Sequence, residues 1–183
     1  MYIKNILLNS ANALNLQNAV EYIEKRTVKG NALQEYEKLL RLTNLVLGEL
    51  PSYNLYVVKE QRAKPISGKI MFTSLQHRPI KILEITDEMG NKCDFEVFTT
   101  YLLCDQTAYT IKYAYMPEED VTGEVNISDY TVRDSTIAMA VVAEYLLTVN
   151  DFDSAVFWHD KFVKTISKQG LPKNTTIKNR SFV

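Results

Sequence analysis

The stretch Ile137-Ala138-Met139-Ala140-Val141-Val142-Ala143 constrains this chain more than any other. At 3.6 residues per turn it is apolar on every side, so a helix built from it must be covered by neighbours all round. Asp129, Asp134 and Ser135 precede it and suit a helix N-terminus, and Thr148-Val149-Asn150-Asp151 leaves room for a tight turn. A second helix then starts near Asp151. Ala155, Trp158, Phe162 and Ile166 recur at three and four and give it one apolar face; Lys164, Lys168 and Gly170 mark its end. The region 129–170 therefore reads as a helical hairpin with a central first helix.

Upstream, Leu16, Ala19, Val20 and Ile23 predict a helix over 15–26. Another follows over 31–50, with Asn31 and Gln34 as a variant capping box and a broad stripe of Leu33, Tyr36, Leu40, Thr43, Leu47 and Leu50. Pro51 disfavours helical geometry at Leu50 and marks its end. From Tyr53 the period changes to two. Strands are expected at 55–60, 69–72, 80–86, 93–99 and 108–115, broken by Ser67-Gly68, Arg78-Pro79 and Gly90-Asn91. The expected architecture is α+β: a helical bundle of two N-terminal helices (1–52) and a C-terminal hairpin (129–170). An antiparallel sheet or small barrel of about five strands (53–117) interrupts it. An extended C-terminal arm (171–183) closes the single domain of 183 residues. That stretch lacks acids and ends on Phe182-Val183, which suits either an arm docking on a neighbouring subunit or a loose terminal tail.

Composition excludes several classes. With 46% hydrophobic and 23% charged residues the chain has the balance of a globular protein, and no uncharged apolar run nears the ~18 residues of a membrane span. The start, Met1 to Asn9, is a short patch broken by Lys4 and Asn5 and lacks a cleavage signature for a signal peptide. Cys93 and Cys104, with only His77 and His159, are too few and wrongly spaced for zinc and read as reduced thiols. The sequons at Asn126 and Asn174 carry no meaning without secretion.

No catalytic signature is present. The six glycines stand singly, so no phosphate loop exists. His159-Asp160 are adjacent on a helix and point apart. Cys104 sits beside Leu102-Leu103 and reads as buried and inert. Glu118-Glu119-Asp120 lack the alternate spacing of a calcium loop. Lys59, Arg62, Lys64 and Lys69 could touch phosphates, but no nucleic-acid reading motif accompanies them. The expectation is no enzyme, with no catalytic, cofactor-binding or metal-binding residues.

Charge is uneven although the net is −1. Over 84–134 twelve acidic residues stand against Lys92, Lys112 and Arg133, whereas from Lys161 onward there are six bases and no acid. Opposite fields on one molecule either favour association with a copy of itself or remain two solvated surfaces that never meet. The eleven tyrosines exceed what a core requires and suit core edges as well as interfaces.

In the order of its elements the chain resembles the head-to-tail adaptor proteins of tailed bacteriophages, the neck group that includes the tail tubular protein A type. The residues that carry this lie at 36–50 (YEKLLRLTNLVLGEL), 66–75 (ISGKIMFTSL), 109–117 (YTIKYAYMP), the helix through Ala143-Glu144-Tyr145, and 177–182 (IKNRSF). The N-terminal thirty residues match the pattern less clearly. The resemblance implies a structural virion protein, assembled in the bacterial cytoplasm. Copies would form a ring below the portal, contacting the portal and tail proteins, with helices as the wall and the β unit facing a neighbour. DNA would pass through the centre without specific binding, repelled by an acidic lining. The alternative is a cytoplasmic module without catalysis, either for protein interaction or for a small molecule held between Tyr109, Tyr113 and the helices. A third possibility is an enzyme using Cys104 or His159.

Overall fold

The structure is a computed structural model that describes residues 1–104, 109–117, 121–127 and 132–169. Among these, five α-helices and six strands form an α+β fold: α1 (Ile3–Ala13), α2 (Gln17–Lys25), α3 (Ala32–Glu49), β1 (Val57–Ala63), β2 (Lys69–Met71), β3 (Pro79–Thr86), β4 (Glu96–Val97), β5 (Tyr101–Leu103), β6 (Tyr109–Tyr115), α4 (Asp134–Thr148) and α5 (Phe152–Gln169).

The central-helix expectation holds. Thr136, Ile137, Ala138, Ala140, Val141, Val142 and Ala143 of α4 are all buried, because α1, α3 and α5 each pack against it. Its alanines let those neighbours come close. Asp134 opens α4 and accepts a hydrogen bond from Asn5 Nδ2 at 2.8 Å, which ties α1 to the start of α4.

Three helices, rather than the expected two, precede the β unit. The additional one is α1, whose Ile3, Ile6, Leu7, Ser10 and Ala11 form a complete buried stripe. The buried Ser10 hydroxyl donates to the Ile6 carbonyl, and Thr43 does the same to Leu39, so neither hydroxyl is left unpaired. The capping box at Asn31 does not form: its side-chain amide donates to Glu35 Oε1 at 2.6 Å instead. Leu50 also departs from expectation. It keeps right-handed helical geometry (φ −52°, ψ −34°), and Pro51 enters a short 3-10 turn at Leu50–Tyr53.

Asparagine, not glycine, ends three helical segments. Asn15, Asn54 and Asn150 have φ of 56°, 58° and 61°. After each, the next residue's N–H reaches back five residues: Leu16 to Ala11, Leu55 to Leu50 and Asp151 to Leu146, at 2.9 to 3.1 Å. This is the Schellman arrangement, which needs a left-handed residue that asparagine tolerates. At the hairpin turn Asp151 Oδ1 then caps α5 by accepting from the Ser154 N–H. Asn150→Val should lower stability by about 1 kcal/mol, because a β-branched side chain resists this backbone; Asn150→Gly should be close to neutral. Chemical denaturation of the two variants checks the difference.

Among the described residues the β unit contains six strands in two sheets, not five in one. The sheets run β1-β6-β3 and β2-β5-β4, and every pairing is antiparallel. The additional strand is β5, only three residues long, which joins β2 to β4. The two sheets share one core, in which Ile70 and Leu102 of the smaller meet Ile85, Ile111 and Tyr113 of the larger. A second, larger core lies among the helices, and Tyr115 packs against both. Gly68 is required where it stands: φ is +74°, and an added Cβ would lie 3.2 Å from the Cys104 carbonyl. The arm 171–183, Asp129 at the expected start of the hairpin, and Gly170 lie outside the described residues.

Candidate interaction surfaces

The residues with chemical potential are scattered. Cys104 is buried in the β core. Cys93 is half-buried after β3, its Sγ 3.6 Å from the Asn91 carbonyl. Partial burial, reinforced by the charge of Asp87, raises its thiol above the ordinary value, which disfavours the reactive thiolate. Asp87 serves the turn: its carboxylate accepts from the Asn91 side chain and from the Met89 and Asn91 N–H groups, which hold it below the ordinary carboxylate value.

His77 stacks on Tyr115 with ring centroids 4.1 Å apart. His159 lies on the exposed side of α5, and its neighbour Asp160 pairs with Lys164 at 3.7 Å. The carboxylate that feels the charge of His159 is Glu144, on α4. Glu144 sits above the ordinary value of 4.5, mainly through burial and secondly through Glu49; His159 pulls the other way. A raised carboxyl binds its proton more tightly in the folded chain. Its favourable contribution is complete below pH 4.5 and fades as pH rises through the folded value. Glu144→Gln should therefore flatten the stability profile just above pH 4.5. At neutral pH it should add no more than about 0.5 kcal/mol after solvent screening, read from urea midpoints at several pH values.

Tyr113 does not line a space shared with the helices. It is fully buried in the β core, where its hydroxyl accepts from the His77 N–H (3.3 Å) and donates to Gln61 Oε1 (3.2 Å). Gln61 in turn accepts from the Gln76 N–H and donates to the Ser74 carbonyl. This network fastens the segment after β2 onto β1 and β6. The side chain of Tyr109 and the acidic run Glu118-Glu119-Asp120 lie outside the described residues.

The four bases near the first strands do not converge. Lys59 and Arg62 are three apart on β1 and so face opposite sides of the sheet. Lys69 Nζ lies over the Tyr101 ring at 4.8 Å, and Lys64 is exposed beyond the end of β1. Among the described residues no group of three or more His, Cys, Asp or Glu could hold a metal ion, and no helix is long and apolar enough to cross a membrane.

The acidic middle is also divided. Glu84, Asp87, Glu88, Asp94 and Glu96 belong to the β unit. Glu124 instead lies 3.8 Å from the N-terminal amine, and Asp134 starts α4. These two groups therefore do not share one strand or turn.

Exposed apolar side chains remain. Among the described residues, the hairpin tip carries a run of them: Phe152, Val156 and Phe157 are 59 to 62% exposed beside Leu147 and Val149. The helical stripe foresaw the buried Ala155 and Phe162 but gave these three aromatic and aliphatic residues no role. The available signal was that α5 carries more apolar side chains than one core-facing stripe uses. A further depression of about 430 Å³ opens on α3, lined by Gln34, Glu37, Lys38, Arg41 and Leu42. No protein-family model matches this chain, and no curated protein matches it in sequence.

Proposed function

We propose that this chain is a structural adaptor of a bacteriophage or prophage neck, joining the portal to the tail as a ring through which DNA passes. The observation that carries the reading is the row of solvent-facing Phe152, Val156 and Phe157 on α5. Apolar surface concentrated on one helix marks a place where another protein binds. The order of elements, helices then a β unit then a closing hairpin around a central helix, supports it by its resemblance to neck adaptors. The scatter of Cys93, Cys104, His77 and His159 gives an enzymatic reading no constellation to rest on.

A small-molecule role draws less support. The depression on α3 is open and edged by Glu37, Lys38 and Arg41, whereas metabolite sites are enclosed and largely apolar. The test is quantitative mass spectrometry of particles purified from a lysate of the host. Several copies per particle, in fixed ratio to the portal, are expected. Particles that lack the chain would overturn the assignment.

A further inference from the structure

The smaller sheet has one covered face and one open one, and the strand register fixes which residues share the open face. Pairing of β2 and of β4 with β5 sets Ile70, Leu102 and Val97 level, and Ile70 and Leu102 point into the core against the larger sheet. Side chains alternate along a strand, so the rows on either side of this one point outward. One row is Lys69, Leu103 and Glu96. The other is Met71, Tyr101 and Phe98, the last brought level by its N–H donating to the Tyr101 carbonyl at 2.8 Å. Contacts inside the face agree with this placement. The Phe98 and Tyr101 rings stack with centroids 4.6 Å apart, and Lys69 Nζ stands over the Tyr101 ring. Met71 and Phe98 are 43% and 42% exposed. Lys69 and Glu96 are exposed as well, and neither has an ion-pair partner among the described residues. The charged row thus carries its base on the β2 side of Leu103 and its acid on the β4 side.

We propose that a second copy of this chain covers this face, sheet on sheet, about a two-fold axis that runs along β5. Such an axis exchanges the β2 and β4 sides. It sets Lys69 of each copy opposite Glu96 of the other and Met71 opposite Phe98, while Leu103 and Tyr101 meet their own counterparts at the centre. A two-fold axis across the strands would instead lay the charged row on the apolar one and leave both charges unmatched. Apolar and charged side chains therefore select the same axis. Stacked sheets lie ~10 Å apart, close enough for these side chains to interdigitate. The face is three short strands wide, well under the roughly 800 Å² per partner of a lasting complex, so the pairing is weak and depends on concentration. A two-fold contact closes on itself at two copies. It is therefore not the ring contact of the neck reading, does not rest on that reading, and describes the free chain.

The test is sedimentation velocity of the full-length chain at low salt over a series of concentrations. A shift from monomer to dimer is expected. Lys69→Glu, which opposes glutamates at both points of contact, should weaken it about tenfold, and Glu96→Lys, which opposes lysines at both, should do the same. Mixing the two variants in equal amounts should restore the original shift, because the mixed dimer again joins opposite charges twice; raised salt should erase the differences. No role of either side chain within its own chain can produce that rescue. Circular dichroism verifies that both variants fold. A chain that stays monomeric at every concentration, reversals that leave the dimer intact, or a mixture that associates no better than its separate components overturns the contact.

Discussion

A Val141→Asp chain should lose its cooperative melting transition altogether. Val141 is fully buried at the middle of α4, where α1, α3 and α5 surround the helix. A carboxylate there meets apolar neighbours, and an unpaired buried charge costs several kcal/mol even after local relaxation. The whole stability of a domain is only about 5–15 kcal/mol. Val141→Ala, which merely removes volume, should cost about 1–2 kcal/mol and keep a single transition. Circular dichroism on heating separates the two. A native-like melt for the aspartate variant would mean that α4 is not the centre of the fold.

Phe162→Ala should cost about 3–5 kcal/mol, the usual range for emptying a buried aromatic site. Phe162 is the fully buried aromatic of α5, packed edge-on against Tyr53 with ring centroids 5.3 Å apart. Its loss should loosen α5 from the end of α3, lowering the urea midpoint. Phe157, five residues earlier on the same helix, makes the opposite prediction. It is 61% exposed, so Phe157→Ala should change stability by less than about 0.5 kcal/mol while weakening any contact between copies. The two phenylalanines thus separate what holds the helix down from what the helix offers outward.

The strongest helical signals were readable from residues alone. An all-round apolar run such as 137–143 must be buried on every side, and here it forms the covered helix α4, while the alternation of Tyr109, Ile111, Tyr113 and Tyr115 produced β6 with its partners on both sides. What escaped did so for physical reasons. α1 has no acidic residue in its first turn and no side-chain cap, so its start carries no local flag despite a full stripe from Ile3 to Ala11. Asn15, Asn54 and Asn150 end their helices by adopting left-handed backbone, a property of three-dimensional context that the residue type permits without announcing. The division into two sheets is a matter of long-range pairing. β4 and β5 are two and three residues long, too short for periodicity to show, and they exist because they pair with each other and with β2.

The candidate surface was less legible than the fold. Periodicity ranks the sides of α5 only relative to one another. That Phe152, Val156 and Phe157 face solvent follows from α4 lying on the side of Ala155 and Phe162. Similarly, the excess of acids over 84–134 looked like one field in sequence, but the fold places Glu124 and Asp134 by α1 and Asp87 to Glu96 in the β unit.

The proposed neck role is tested most directly by electron microscopy of the purified full-length chain mixed with the portal protein that this proposal requires its genome to encode, over a range of salt concentrations. Rings of this chain seated on one end of the portal are the expected result. Portals left bare at every salt concentration, with the chain still free beside them, would contradict it.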